Sequence, residues 1–553
     1  MTLPIQKTRS TYFLVFAAFF FLYLFLSRGT LSGGDDLIYL DIAQTFLVHG
    51  SFKESGITGE PHVSKYSLGQ AIVDLPVALN FRNACLTRQS GDIPGHTRQI
   101  FIVAIWAAAL TALQTLLFFR VCRIFSVRLP AAVAASASFG AGTMILVYSQ
   151  KLQADVTLGL FLLAAFLAIL EHRDGGRRRW LLLAGLSLGC AVVTKPYAVV
   201  LAALFSVYLL TVIRERVRAV PPRVATARSG PAGEGHCRLG GLAGAIIFVL
   251  PLAILCAIQL YYNHWRYDSV LEFGYDVGVD AHFGFSNPLF VGLFGFLLSP
   301  GKGIFWYNPI LILSIAGIPA FFRADRRPAI FVALLVAVHT IFFSRWVMWH
   351  GDYAWGPRYM LTILPFLTLP CAFFFDRMFA GLGARRFCRY AVAIGTGLLL
   401  IGSVAIQIIG IIPDASDYIT YVCRRTGIFP HPLFEKTVWP LRDDALMLHF
   451  VPDFSPIIGH VWMIKVIRRR NSDSLRHYLN NPPWRQLNEK WVPAEPVELP
   501  FKYNVWWLTA RQSNHPHYLK IVSLATVLLA LSLVCFLFLI QRSVRELRAA
   551  DTH

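Results

Sequence analysis

Apolar residues in this chain gather into blocks of about 16 to 25, and that spacing limits the fold more than any other feature. A helix of that length crosses a ~30 Å hydrocarbon core. Lipid offers no partner to a free backbone N–H or C=O, so such blocks must be helical. Twelve of them fall at about 12–27, 100–119, 130–148, 153–171, 180–194, 196–213, 239–261, 304–322, 328–344, 359–375, 388–412 and 518–540. The first follows Lys7 and Arg9 as a signal segment would, but it lacks a small-residue cleavage site and reads as a retained membrane helix. The expected fold is therefore an all-α polytopic membrane protein of about twelve transmembrane helices.

The net charge of +20 invites a nucleic-acid reading until the charges are located. With the N-terminus inside, the cytoplasmic segments hold 25 Lys and Arg against six in the short outer loops. This is the positive-inside pattern of a plasma membrane protein with both termini cytoplasmic, and nucleic acid is not an expected partner. Residues 67–81 and 288–298 are apolar but too short to cross and read as interfacial helices. The expected divisions are a membrane module over 1–412, whose outer loop spans 28–99, then an outer segment over 413–517, α/β or irregular, and a last span with its tail over 518–553. Nine cysteines form no metal or redox motif, although Cys85 and Cys423 are both expected outside the membrane, where they could pair.

The informative polar residues collect at the outer ends of the spans. Asp35 and Asp36 follow a Gly33-Gly34 turn and open a short helix over 36–48 that also carries Tyr39. His62, Lys65 and Tyr66 come next, and Asp155 heads the fourth span. Lys302 sits in Ser-Pro-Gly-Lys-Gly, and Arg358 follows His350 and Asp352 at the mouth of the tenth span. Glu272 belongs to a looser acidic loop. Each group alone has an ordinary reading as a helix cap, a snorkelling cation or an aromatic belt. Their common side is what points to chemistry.

A sugar on a polyprenyl phosphate is an activated donor whose leaving group is already a good one. Its transfer needs a carboxylate to take the acceptor's proton. It also needs cations, or a divalent metal, to hold the phosphate as charge develops. Attack opposite the leaving group inverts the anomeric carbon. Asp35, Asp36 and Asp155 are the candidate catalytic acids, and Lys65, Tyr66, Lys302 and Arg358 the candidate phosphate ligands. Tyr39, His62, Glu272, His350 and Asp352 are candidates for the substrate cavity.

The run Gly34-Asp35-Asp36-Leu37-Ile38-Tyr39-Leu40-Asp41-Ile42-Ala43, followed by Lys65-Tyr66-Ser67, resembles the GT-C superfamily of membrane glycosyltransferases. It is similar to the protein-O-mannosyltransferase branch that includes aminoarabinose transferases of lipid A. The resemblance implies a GT-C-like fold, Asp35 as the base, Lys65 against the lipid phosphate and Asp155 as a second acid. A divalent metal, if one is used, would fall to Asp35 and Asp155, although Ser64 stands where relatives carry glutamate. The activity it implies is inverting transfer, at the periplasmic face of a bacterial inner membrane, from a polyprenyl-phosphate sugar to a lipid, glycan or protein acceptor. A flippase of lipid-linked saccharide and a non-catalytic scaffold are the rival readings. Functional charges deep in the spans would favour the flippase, and bare caps at Asp35 and Asp36 the scaffold.

Overall fold

The computed structural model describes residues 5–29, 35–54, 62–81, 97–218, 232–274, 284–351, 354–381, 386–425, 448–468, 503–512 and 515–551. All twelve apolar blocks lie on helices. Eight helices are long and apolar enough to cross a bilayer, from Gln99–Ile124 to Tyr518–Arg548. Four shorter ones, Arg9–Phe25, Leu129–Gly142, Arg179–Thr194 and Leu311–Ala324, carry the remaining blocks. The chain is an all-α, polytopic membrane protein. Among the described residues, strand pairing is confined to a ribbon of Lys53–Glu54 against His62–Val63 and a bridge between Arg28 and Val505.

The two doubtful blocks are helices of 11 and 9 residues, Leu68–Ala78 and Leu289–Leu297. At ~1.5 Å rise per residue, both fall well short of a ~30 Å hydrocarbon core. Within 413–517, expected to be α/β or irregular, the described residues include the helices Ala415–Arg425, Pro456–Arg468 and Trp506–Gln512. The Gly33-Gly34 turn, Asp352 and Cys85 lie outside the described residues, as does the side chain of Cys423.

The first and last helices pack along each other. Ser532 Oγ donates to the Ala18 carbonyl at 2.8 Å, and Phe19 meets Phe536 edge-on at 5.2 Å. The core is aromatic, with Phe118, Phe139, Phe166 and Phe205 fully buried.

Two of the blocks are broken, and the breaks face each other. Thr143 is extended between helices Leu129–Gly142 and Ile145–Tyr148. Asn308 interrupts Ile304–Tyr307 and Leu311–Ala324, just before Pro309. A broken helix frees backbone donors that lipid cannot satisfy. Here Asn308 Oδ1 accepts the Met144 N–H at 2.7 Å, while its amide donates to the Ile304 carbonyl at 2.9 Å. Asn308 is fully buried. The Asn308→Leu variant should orphan a buried N–H and lose ~1–3 kcal/mol of stability. The check is a fall in the thermal unfolding midpoint of purified protein, and an unchanged midpoint would mean that the break is satisfied otherwise.

One close approach positions the loop that carries Lys65 and Tyr66. A Cβ on Gly69 would stand 2.4 Å from the Thr194 nitrogen, so only glycine lets helix Leu68–Ala78 touch the end of Arg179–Thr194. This contact brings the Lys65–Tyr66 loop beside Lys195.

Candidate functional site

Asp35 and Asp36 occupy the first turn of Asp35–His49, where the helix dipole favours anions. The Asp35 carboxylate accepts two hydrogen bonds from opposite parts of the chain. Tyr66 donates its phenol to Oδ1 at 2.7 Å, and Arg358 donates Nη1 to Oδ2 at 2.9 Å. Burial works to raise the Asp35 pKa. Arg358, the Tyr66 hydroxyl, Lys195 and Lys65 outweigh it and lower the pKa to about 2. Two of the expected phosphate ligands therefore touch the expected base, and Lys65 lies within its electrostatic reach.

Each partner is held in place. The Ser64 carbonyl accepts from Arg266 Nη1 at 2.8 Å and Tyr267 Oη at 3.1 Å, and the Tyr66 carbonyl accepts from Arg266 Nη1 at 3.1 Å. Arg266 is itself clasped between the rings of Tyr262 and Tyr267. This fixes Lys65, whose ammonium is 5.5 Å from the Tyr66 ring centre. Tyr39 is buried and meets Tyr66 edge-on at 5.0 Å.

Asp155 is fully buried at the head of Ala154–Gly175. It is paired with Lys195 at 2.8 Å and accepts from the Gln153 amide at 3.1 Å. Lys195 lies in the fields of both Asp155 and Asp35 and links the two carboxylates. Asp36 is half-buried and faces a second buried acid, Asp74. Burial pushes the Asp74 pKa well above the usual carboxylate range, its Gln70 hydrogen bond opposes this, and the Asp36 charge adds to the rise.

Lys302 is placed differently from its expected role. It is fully buried, and its ammonium donates to the carbonyls of Ala354 and Gly356 at 2.8 and 3.3 Å. It therefore ties down the loop that delivers Arg358. Gly356 in that loop has a φ of +63°, and a Cβ there would press on the Tyr307 ring. His350 also turns inward and stacks on His449 of the outer segment at 4.7 Å. Burial, then Lys302 and Arg358, lower the His350 pKa to about 3, so its imidazole is neutral. Glu272 accepts from the Gly274 N–H at 2.6 Å within its own turn. His62 is held by its backbone in the ribbon, opposite Glu54.

The carboxylates fit a metal poorly. Both Asp35 oxygens and both Asp155 oxygens already face donors or cations. No group of three His, Cys, Asp or Glu is arranged to hold an ion among the described residues.

Residues 63–218 match the family model described as dolichyl-phosphate-mannose-protein mannosyltransferase. That stretch of the chain is similar to this family of mannosyltransferases. The matched region holds Lys65, Tyr66, Asp155 and Lys195, and ends short of Arg266 and Arg358. No curated protein matches. Among solved structures, ArnT from Cupriavidus metallidurans bound to undecaprenyl phosphate is 15% identical over 87% of this chain and 86% of that one, with a TM-score of 0.42. Its apo form is 16% identical over 95% and 78%, at 0.41. The S. cerevisiae protein O-mannosyltransferase Pmt1–Pmt2 complex bound to the sugar donor is 15% identical over 49% and 35%, at 0.36. Likenesses this loose place no individual residue.

Sequence reasoning missed Lys195 and Arg266, which it counted only as loop charges. The signal for Lys195 was a cation wedged between two apolar spans in Thr194-Lys195-Pro196. Lys302→Met should lower the unfolding midpoint, because two buried carbonyls lose their donor at ~1–3 kcal/mol each. Affinity for undecaprenyl phosphate per folded molecule should be retained. Selective loss of that affinity at unchanged stability would return Lys302 to the phosphate.

Proposed function

We propose that this chain is a membrane glycosyltransferase that moves a sugar from a polyprenyl-phosphate donor to an acceptor hydroxyl or amine, with inversion, at the outer face of a bacterial inner membrane. The observation that carries the reading is the meeting at Asp35 of a carboxylate, a phenol and a guanidinium, with two lysines in electrostatic range. A scaffold would leave Asp35 as a bare cap. A flippase has no use for a base.

The acceptor oxygen or nitrogen attacks the anomeric carbon as the bond from that carbon to the phosphate oxygen breaks. The electron pair leaves with the polyprenyl phosphate, whose charge Lys65 and Arg358 stabilise. Asp35 takes the proton of the acceptor. A carboxylate held near pKa 2 is a feeble base, and Arg358 is the largest single cause that lowers it. An arriving donor phosphate competes for Arg358. Its departure from Asp35 strengthens the base at the moment the donor is in place. Asp155 orients Lys195 behind this pair, and Asp36 adds negative charge beside it. The acceptor class, whether lipid, glycan or protein, belongs to the 413–517 segment in this reading, as a region separate from the 1–412 module.

Three outcomes are expected. Asp35→Asn should cut turnover ~10²–10⁴-fold while the protein still accumulates, and a normal glycan profile would remove the base. Lys65→Ala should cost ~10²–10³-fold. Arg358→Gln should move the acid limb of the kcat/KM profile upward by about 1–3 pH units. The sign follows from the base having to be ionised: loss of the neighbouring cation raises the Asp35 pKa, so protonation silences it at a higher pH. An acid limb that stays in place would separate Arg358 from Asp35.

A further inference from the structure

A second charged cluster lies beside the site and has no part in the scheme above. Arg28, just past the first helix, is 6% exposed. Its Nη2 pairs with Asp414 at 2.9 Å. Among the described residues, its Nε and Nη1 find no hydrogen-bond acceptor. Asp414 is spoken for on its other oxygen, which accepts from the Ser416 N–H and hydroxyl at 3.0 and 2.7 Å. Lys151 adds a second cation. Burial and then Arg28 push its pKa below the usual lysine range, Asp414 and Asp36 oppose that, and Arg358 adds to it. Lys151 thus lies within electrostatic reach of this cluster and of Asp36 and Arg358.

The cluster holds two cations against one carboxylate, with guanidinium donors left over. A buried positive charge without a full counter-charge is costly, and truncating such clusters to neutral packing is often harmless or stabilising. The walls come from the outer segment rather than from the Lys65 loop. Arg28 bridges to Val505, Gly29 donates its N–H to the Asn504 carbonyl at 3.0 Å, and the Asn504 amide donates to Gln150 Oε1 at 3.2 Å.

We propose that Arg28 and Lys151, beside Asp414, form an anion subsite that takes a phosphate group carried by the acceptor. A phosphate monoester brings close to two negative charges and three acceptor oxygens, enough to satisfy the free guanidinium N–H groups and the ammonium together. The donor's phosphate has its own ligands at Lys65 and Arg358. The assignment to the acceptor rests on the transferase reading, whereas the existence of the subsite does not.

The test is equilibrium binding of labelled dioleoyl phosphatidic acid to the full-length protein in detergent, with undecaprenyl phosphate present at saturation to occupy the donor position. One saturable site should remain that dioleoyl phosphatidylcholine does not fill. Arg28→Gln and Lys151→Gln should each weaken it about 10- to 100-fold. Arg28→Lys should recover part of the loss, and Lys65→Ala should leave it unchanged. If Arg28→Gln fails to fold, Lys151→Gln decides, because that side chain is only half-buried in a loop. Displacement of the phosphatidic acid by undecaprenyl phosphate would assign the cluster to the donor and overturn the proposal, as would wild-type binding by the folded glutamine variants. Normal transfer by Asp35→Asn, together with lost lipid binding in Lys151→Gln, would sink the transferase reading and leave the subsite standing.

Discussion

The ion pair between Asp35 and Arg358 joins two parts of the chain that are more than three hundred residues apart in sequence. One partner opens helix Asp35–His49, and the other opens the helical run Arg358–Ala380. Both are mostly shielded, with side chains 27% and 15% exposed. At that depth an uncompensated charge is costly, so each partner depends on the other and on its remaining hydrogen bonds. Several surrounding residues serve to keep them in register. Arg266 holds the backbone that presents Tyr66, and Lys302 holds the backbone that presents Arg358. The Gly69 contact seats the Lys65 loop against the helix that ends at Lys195.

This gives the site an alternating run of charge: Arg358, Asp35, Lys195, Asp155. In the proposed reading, a donor phosphate that enters this run competes for its cations, and that competition couples donor arrival to the strength of the base.

The membrane architecture was legible because lipid permits so few solutions. Once apolar blocks are long enough, helices follow, and all twelve blocks are helical in the structure. The acids and cations at the outer ends were legible for a similar reason, since charge at that depth is rarely idle. The partners were not. Nothing local to Asp35 says that it meets Arg358 rather than Lys302. Lys302, in Ser-Pro-Gly-Lys-Gly, was grouped with the phosphate ligands, yet its ammonium donates to the carbonyls of Ala354 and Gly356. Arg266 lies in the last turn of helix Ala232–Tyr267 and Lys195 just past the end of Arg179–Thr194, places where a cation ordinarily contacts water or headgroups, and only tertiary packing turns them inward. The broken spans were hidden because Asn308 repairs from a distance the backbone that Thr143 leaves open.

The central claim is that Arg358 leaves Asp35 for the donor phosphate. It is tested most directly by isotope-edited infrared titration of the Asp35 carboxylate in the full-length protein, with and without undecaprenyl phosphate. Without lipid the carboxylate should protonate near pH 2. With lipid bound, its midpoint should rise by at least about one unit as the guanidinium is drawn away. A midpoint that lipid leaves unmoved, or lowers further, would mean that Arg358 stays on Asp35 and that the base is not released by the donor.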